Sequence, residues 1–565
     1  LAGLALLGVT LPETPDEQEA AVGAGLAAIE ENLGGRRIED LIDAEVMNDP
    51  AREIVLQMLC EISVPLYFSN PRLYMVRTLT EVNVSLRYGH SNMSAYGYMS
   101  YAFMLAHILR QPERAYAFGR LSLALNEKLP NATLTCRLYA VVYAYVYLRE
   151  PVRSALVSNQ KARDAALSFG DFFYLSSSWS SGIILKFAVG DPLEEVSEEL
   201  ERGFAVLKRT QDDVLKGTLV LLQQVVANLQ GRTQDRATFS DDSFDEGAFR
   251  AGLHEKSHAV TASLFWLFKL HLRYLHGDNA GVIAAAEAFE GVKTKVFSMY
   301  YALRADFYVC LALLALPPLA TKEEEERRAQ ALARCQAKIE ELTAICPVNF
   351  EHQLLLIESQ RARREGRHIE AIDLCDRAIV LSRAAELPHD EALANELCGE
   401  LYLAMGKAKP AGPYLTDAYL GYFRWGATAK AEELAKKIRP PAAVARREEP
   451  ARYAHHIVLD QRPLGDDAPA GDNARQPQGG GRGRPCGAVY RWRAPATEGD
   501  RSAHEARARE RRRAAGSAPP PARRAAVRRG ELRGGSGADR GGAERRARHP
   551  RRPRAKRAVV RLPHP

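Results

Sequence analysis

The sequence predicts an all-α protein made of helix-hairpin repeats, and three observations support this fold class. From about residue 15 to residue 437, apolar residues recur at helical spacing for roughly 14–20 residues and then stop at a short break. The breaks are rich in the Asp, Asn, Pro and Gly residues that begin and end helices. No stretch shows the sustained apolar–polar alternation of strands joined by hairpin turns. We therefore expect tetratricopeptide-like helix pairs that stack into a superhelical solenoid, followed by a disordered basic tail.

Residues 1–49 are predicted to form an entry segment that follows an upstream domain. The chain begins with Leu1, and the apolar stretch Leu1–Leu11 lacks the basic start and small-residue cleavage site of a secretory signal. We interpret this stretch as the end of an element that begins upstream, which would make the chain a fragment. The longest apolar run, Phe307–Leu316, is much shorter than the roughly 20 residues that span a bilayer. The sequence therefore predicts no transmembrane helix.

Two blocks of repeats are predicted, at residues 50–231 and 250–438, with a Thr-, Asp-, Ser- and Gly-rich loop or hinge at residues 232–249 between them. The predicted helix pairs are 51–68 with 71–88, 92–109 with 112–128, 133–148 with 152–169, 173–188 with 193–209, 256–276 with 279–291, 297–315 with 323–345, 349–365 with 368–386, and 390–405 with 410–424. An unpaired helix is expected at 213–231, and a charged closing helix at 427–437, because a stacked array needs a polar cap at its end.

An internal repeat with a period of 40 residues supports this interpretation. The residues that recur at this offset are Gly366, Ala371, Cys375 and Ala378, matched by Gly406, Ala411, Leu415 and Ala418. Gly399, Tyr402, Ala411 and Ala418 occupy the relative positions of the small and aromatic residues in a tetratricopeptide unit. Small side chains let paired helices approach closely, so we expect Ala411 to be buried. A chance match between two amphipathic helix pairs is the alternative, since alanine is common.

The composition changes abruptly after Arg439, where Pro, Ala, Gly and Arg dominate. Residues 501–565 hold 21 Lys/Arg and 5 Asp/Glu, a net charge of +16. Since the whole chain carries +7, the first 500 residues carry about −9. Few apolar side chains remain to offset the entropy of ordering, and residues 439–565 are therefore predicted to be a disordered tail. Arg, Pro, Ala and Gly all have GC-rich codons, which suggests a second hypothesis: the tail is read in a shifted frame. Translation of the same DNA in the other forward frames distinguishes a frameshift from a genuine basic tail.

The sequence carries no catalytic or cofactor-binding constellation. It has no GxxxxGK[ST] phosphate loop and no HRD or DFG kinase motif, and the glycines near Gly23 follow a charged helical stretch instead of a strand. We therefore predict no catalytic residues, no cofactor and no metal site. The eight cysteines are scattered without a CxxC pair, which is typical of buried apolar positions in a reducing cytoplasm. They are Cys60, Cys136, Cys310, Cys335, Cys346, Cys375, Cys398 and Cys486.

One HExxH motif, His254–His258, matches the pattern in which two histidines on one helix face bind zinc. A catalytic site needs a third ligand, and Asp278 and Glu287 lie at a predicted turn and on the next helix. His271 and His276 lie two to three turns further along. A solvated helix face is the favoured interpretation, and a zinc hydrolase is the weakest of the functions considered. The His455-His456 pair lies in the predicted disordered tail, and we do not interpret it as a metal site.

The first block of repeats is rich in aromatic residues, which we interpret as repeat core in preference to a ligand cage. These residues are Tyr96, Tyr98, Tyr101, Phe103, Tyr139, Tyr143, Tyr145 and Tyr147.

Several segments resemble the helical repeat region of very large bacterial signalling proteins. These proteins join a Ser/Thr protein kinase domain, a predicted AAA-like ATPase, the repeat region, a GAF domain and a sensor histidine kinase. The segments that carry the resemblance are 7–12, 38–41, 47–50, 86–96, 118–123 and, most closely, 418–432, which reads AYLGYFRWGATAKAE. The resemblance covers roughly residues 1–438, and the basic tail stands where the family has its GAF domain.

The resemblance implies a regulatory, sensory segment of a cytoplasmic ATPase–protein kinase. Its partners would be proteins or the kinase and ATPase domains of the same chain, and the family's catalytic residues have no counterparts here. A nucleic-acid-binding repeat scaffold anchored by the Arg-rich tail is the alternative. A gel shift separates the two functions, because binding through the tail should weaken steeply with salt.

Overall fold

The computed structural model describes residues 2–254, 259–292 and 300–438. These residues confirm the all-α class: helices dominate, and the only β pairing among them is a single bridge between Val46 and His90. Short 3-10 segments occur at Glu39–Asp43, Val146–Leu148 and Gly252–His254. The predicted tail, residues 439–565, lies outside the described residues.

The helices of the first half alternate with short turns. They are α1 (Ala2–Leu6), α2 (Pro15–Leu33), α3 (Pro50–Glu61), α4 (Ser63–Ser69), α5 (Pro71–Tyr88), α6 (Ser94–His107), α7 (Pro112–Lys128), α8 (Ala132–Val142), α9 (Ser154–Phe169), α10 (Phe172–Ala188), α11 (Leu193–Thr210) and α12 (Asp213–Leu229).

The helices of the second half follow a non-helical stretch at residues 232–245. They are α13 (Glu246–Ala251), α14 (Ala259–Leu275), α15 (Asn279–Val292), α16 (Tyr300–Ala315), α17 (Lys322–Ile345), α18 (Pro347–Arg364), α19 (His368–Ala384), α20 (Pro388–Ala404), α21 (Ala408–Trp425) and α22 (Thr428–Ile438).

The residues at the predicted breaks cap the helix ends. The Asp49 carboxylate accepts hydrogen bonds from the backbone of Ala51 and Arg52 at the start of α3, and Pro50 occupies the first helical position. Gly170 ends α9 with a φ of 72°, a left-handed conformation that glycine adopts without a steric penalty. These caps explain why the observed boundaries lie within a few residues of those predicted from the breaks.

Two predicted helices differ from the observed ones. The stretch 51–68 is split into α3 and α4, because a proline in the middle of a continuous helix would lack its backbone N–H and clash with the preceding turn. Restarting the helix at Ser63 places Pro65 in a first turn, where no such bond is needed. The predicted helix 133–148 ends at Val142, and Tyr145 continues in a tighter turn that brings its ring onto Gly119. A Cβ at Gly119 would lie 2.3 Å from the Tyr145 ring.

From α6 to α18, the even-numbered helices form an inner layer. Each of them before α18 contacts the even-numbered helix that follows it, and each also packs against its neighbours in sequence apart from the short α13. Burial distinguishes the two layers: 13 of the 17 residues of α10 are buried, whereas only 3 of the 24 residues of α17 are buried. The described helices therefore form a double layer with the apolar core along the inner helices.

The two halves also touch each other at points about 200 residues apart in sequence. Asn349 accepts a hydrogen bond from the backbone of Val152 at 2.9 Å and donates to the carbonyls of Tyr147 and Glu150. Further along, Arg236 pairs with Glu433, and α12 packs against α22. Later helices therefore lie against earlier ones.

A buried charged cluster lies where the inner helices meet. Arg304 on α16 donates to both carboxylate oxygens of Asp390 on α20, with one distance of 2.9 Å, and to the Tyr308 hydroxyl at 2.8 Å. His352 lies 3.0 Å from the same carboxylate. Burial alone would raise the pKa of Asp390, but Arg304 and its neighbouring histidines hold it well below its usual value. The cluster therefore links α16, α18 and α20.

His389 beside this cluster predicts that the protein loses stability in mild acid. Burial lowers the pKa of His389 to about 3, and Arg304 acts in the same direction while Asp390 opposes it. The unfolded chain takes up the proton near pH 6.5 and the folded chain does not, so stability is complete above pH 6.5 and falls as the pH drops toward 3. Between pH 7.5 and pH 5 this histidine should account for a loss of about 2 kcal/mol.

Denaturant unfolding of the parent and of His389→Phe at both pH values measures this effect. We expect the parent to lose about 2 kcal/mol more than the variant between the two pH values. Equal losses would show that His389 does not resist protonation in the folded state.

Candidate functional site

The sequence contains one possible metal-binding motif, the HExxH at residues 254–258, and most of it lies outside the described residues. His254 closes a 3-10 segment, and residues 255–258 of the HExxH motif are not described. His271 and His276 have other partners: the His271 ring contacts the hydroxyls of Tyr301 and Tyr308 at 2.8 and 2.9 Å, and His276 contacts Asn228 at 3.0 Å. Within the described part of the chain, no three His, Cys, Asp or Glu side chains converge as metal ligands would.

The cysteines that the structure describes are free and buried. These seven are Cys60, Cys136, Cys310, Cys335, Cys346, Cys375 and Cys398, and Cys486 lies outside the described residues. Burial raises the pKa of Cys60 to about 12, with Glu81 acting in the same direction. A thiol held neutral in this way is a poor nucleophile, so Cys60 is a packing residue.

The aromatic residues of the first half divide into core and pocket. Tyr98, Tyr101, Tyr145 and Tyr147 are buried in the core, as predicted. Tyr96 is buried in the same core and, together with Phe103 and Tyr143, lines a half-enclosed pocket of about 140 Å³ between α4, α5, α6, α8 and α10. The core interpretation is therefore confirmed for five of the eight residues, and Tyr139 and Tyr143 are partly buried against the same core.

The pocket wall is aromatic and carries no charged side chain. Eight rings line it, together with three serines and four small aliphatic residues. The rings are Tyr67, Phe68, Tyr74, Tyr96, Phe103, Tyr143, Phe173 and Tyr174. The Tyr67 ring stands edge-to-face against Phe68, Tyr74 and Phe103, with centroids 5.1–6.0 Å apart. Edge-to-face contacts of this kind hold aromatic rings in defined orientations, so the wall is pre-formed.

A chain of three hydroxyl groups supplies the pocket with hydrogen-bonding capacity. Tyr96 donates to Ser63 Oγ at 2.8 Å, and the hydroxyls of Tyr96 and Tyr174 lie 3.1 Å apart. Each hydroxyl has one proton, so two bonds within a chain of three leave one proton to donate elsewhere. Burial raises the pKa of Tyr96 and of Tyr174, which keeps both phenols neutral and able to donate.

An ion pair behind the wall stabilises this arrangement. The Arg77 guanidinium lies over the Tyr74 and Tyr96 rings, 5.1 and 5.4 Å from their centroids, and pairs with Glu81 at 3.1 Å. Both charged side chains are almost fully buried, and Arg77 also donates to the Leu59 carbonyl. Arg77 therefore connects α5 to α3 through the Leu59 carbonyl and to α6 through the Tyr96 ring, and it does not line the pocket itself.

The mouth of the pocket exposes apolar surface. Phe68 is 61% exposed, and its ring lies 6.2 Å from that of Phe173, which is 39% exposed. Sequence reasoning did not select either residue. The signal that could have found them is the placement of aromatic doublets, Tyr67-Phe68 and Phe172-Phe173, at a helix end and a helix start.

A larger cleft of about 550 Å³ lies where the two halves meet, but its charges are already paired. Arg153 bonds to Asp191 at 2.7 Å and to the Glu386 carbonyl, and Arg383 bonds to Glu391 at 2.7 Å. Such groups would have to give up existing partners to bind a ligand. The aromatic pocket is therefore the better candidate site.

No model of a known protein family and no curated protein sequence matches this chain. None of the described helices is both long enough and apolar enough to cross a lipid bilayer.

Proposed function

We propose that the chain is a regulatory, sensory helical-repeat segment of a bacterial signal-transduction ATPase–protein kinase. The proposal combines the resemblance of residues 1–438 to the repeat region of that family with the packing of the repeats. In this proposal the segment binds a ligand or partner and transmits the effect to kinase or ATPase domains, and it catalyses no reaction itself.

The single observation that carries this proposal is the burial of the small residues that repeat at an offset of 40. Ala371, Ala378, Ala411 and Ala418 are completely buried. A Cβ at Gly399 would come within 2.6 Å of Leu415 on the partner helix. Such close approach of paired helices is the physical basis of tetratricopeptide packing, and it supports a tetratricopeptide-like solenoid for this body.

The contacts between points 200 residues apart fit the same interpretation. Five repeats of 40 residues would make one turn of the superhelix, after which later repeats lie against earlier ones. In a stacked array of this kind each repeat contacts mainly its neighbours, and curvature depends on small rotations between repeats. A ligand that binds one curvature better than another therefore shifts the population of the whole segment.

The charge of the body disfavours the nucleic-acid alternative. Residues 1–438 hold 46 Lys/Arg and 57 Asp/Glu, a net charge of −11. Binding to phosphates draws on an excess of Lys and Arg, which this part of the chain lacks. The body itself is thus a poor nucleic-acid scaffold.

ATP turnover by the purified full chain, alone and mixed with the protein encoded directly upstream, tests the proposed function. We expect the chain alone to hydrolyse no ATP above a boiled control. We expect the upstream product to be an ATPase or kinase whose rate changes when the chain is added. The chain carrying Ala411→Arg, which should disrupt the last repeat, is the matched control and should not produce this change.

Two results would contradict the proposal. One is turnover by the chain alone that survives repurification. The other is flanking DNA that encodes neither an ATPase nor a kinase domain in any frame.

A further inference from the structure

We infer that the aromatic pocket between α4, α5, α6, α8 and α10 binds an uncharged small molecule with a single aromatic ring and a hydroxyl group. The ligand class deepens the proposed function and rests on it for its regulatory meaning. The binding itself depends only on the geometry of the pocket.

The volume of the pocket matches a ligand with a single aromatic ring. Its volume is about 140 Å³, and an apolar protein cavity of roughly 150 Å³ is known to accommodate benzene. The eight rings of the wall offer edges and faces to a further ring, and pairs of this kind contribute about 0.5–1.5 kcal/mol beyond the burial of apolar area. A fused or multi-ring ligand would have to extend past Phe68 into solvent.

The absence of charge in the wall selects a neutral ligand. All fifteen lining residues are aromatic, aliphatic or serine. The nearby Arg77 is already committed to Glu81 and to the Leu59 carbonyl. A carboxylate placed in the pocket would lose its hydration without gaining a partner, which is strongly unfavourable. An ammonium could contact ring faces, but the Arg77 guanidinium already lies over the Tyr74 and Tyr96 rings and would repel it.

The hydroxyl chain selects a ligand with a hydrogen-bond acceptor. Ser63, Tyr96 and Tyr174 make two bonds among themselves and keep one proton to donate. Ser63 is 2% exposed, so bulk water does not readily compete at its end of the chain. A phenolic or alcoholic oxygen on the bound ring can accept this proton.

A ligand-observed NMR titration of the full chain with phenol, toluene and benzoate tests the inference. These probes share one ring and differ in carrying a hydroxyl, a methyl or a charged group. We expect saturable binding of phenol with a Kd of about 0.1–1 mM, as suits a ligand of seven heavy atoms. Toluene should bind about five- to tenfold more weakly, and benzoate should show no saturable binding.

Val141→Trp locates the binding, because Val141 lines the pocket and the indole would fill it. Val157→Trp is the matched control, since Val157 is 62% exposed on α9, away from the pocket. Phenol binding should be lost in the first variant and unchanged in the second, with circular dichroism confirming that both are folded. If Val141→Trp unfolds the protein, Phe68→Ala at the exposed mouth replaces it and should weaken phenol binding at least threefold.

Three results would overturn the inference. The first is no saturable phenol binding below about 10 mM, a Kd tenfold weaker than the weakest expected. The second is benzoate binding as tightly as phenol, and the third is phenol binding that Val141→Trp and Phe68→Ala both leave intact. Each of these is independent of the ATP turnover that tests the proposed function. A pocket that binds phenol in a chain with no effect on ATP turnover would refute the regulatory role alone.

Discussion

Replacing Ala411 with arginine is expected to destabilise the protein by several kcal/mol, on the order of the largest effects seen for single substitutions. Ala411 is completely buried on α21, which packs against α20 along its whole length. An arginine there would force the two helices apart and would bury a charged group between them. Denaturant unfolding followed by circular dichroism measures the loss.

Thr416→Arg is the matched control for this prediction. Thr416 lies on the same helix with its side chain exposed, and the same substitution there should change stability by less than about 0.5 kcal/mol. Two variants of equal stability would mean that α20 and α21 are not closely packed at Ala411, and would remove the main support for the repeat packing.

Replacing Asp390 with alanine is expected to cost about 3–5 kcal/mol, because it leaves Arg304 buried without its counter-ion. Arg304 and Asp390 are each about 1% exposed, and His352 would lose its carboxylate partner as well. Removing Asp306 from its pair with Lys338 offers a comparison, because Lys338 is 45% exposed and stays hydrated when it loses its partner. Asp306→Ala should therefore cost less than about 1 kcal/mol.

A double variant shows whether the loss comes from the unpaired charge. Arg304→Met combined with Asp390→Leu removes both charges and fills the space with apolar groups, so it should be more stable than Asp390→Ala alone. The same unfolding experiment decides the matter. A double variant that is less stable than the single one would mean that the hydrogen bonds to Tyr308 and His352, not the buried charge, dominate the cluster.

Local chemistry made much of the fold predictable. Helix starts follow from residues such as Asp49 and Pro50, and helix ends follow from glycines such as Gly170, because capping and backbone conformation act within a single turn. The burial of Ala411 and Ala418 was also predictable, since a period of 40 residues marks equivalent positions of stacked units.

The helix break after Val142 depends on a tertiary contact, unlike the break before Pro65, which follows from proline itself. The apolar spacing of residues 133–148 is continuous, yet the helix stops at Val142 and the Tyr145 ring then covers Gly119. Helical periodicity is the same for a continuous helix and for one that ends in a tight turn. Packing against a neighbouring helix determines whether the continuous helix or the tight turn is formed.

The candidate site was predictable only in part. The aromatic pattern drew attention to Tyr96, Phe103 and Tyr143 but could not distinguish a filled core from a pocket, because both are lined by the same residue types. Phe68 and Phe173 lie about 100 residues apart in sequence and meet only through the packing of α4 beside α10. The volume between them depends on how closely five helices approach, which no local pattern specifies.

The sequence by itself determined the all-α class, the order of the helices, most of their boundaries and the small residues that pair them, because these depend on propensity, capping and periodicity within short segments. The tertiary structure alone decided that the two halves touch at points about 200 residues apart, that Arg304 finds Asp390 across 86 residues, and that the aromatic residues of five helices leave a pocket of about 140 Å³. The physical reason is that contacts between distant segments depend on small rotations between successive helix pairs. These rotations accumulate along the chain, and the packing of the whole body sets them.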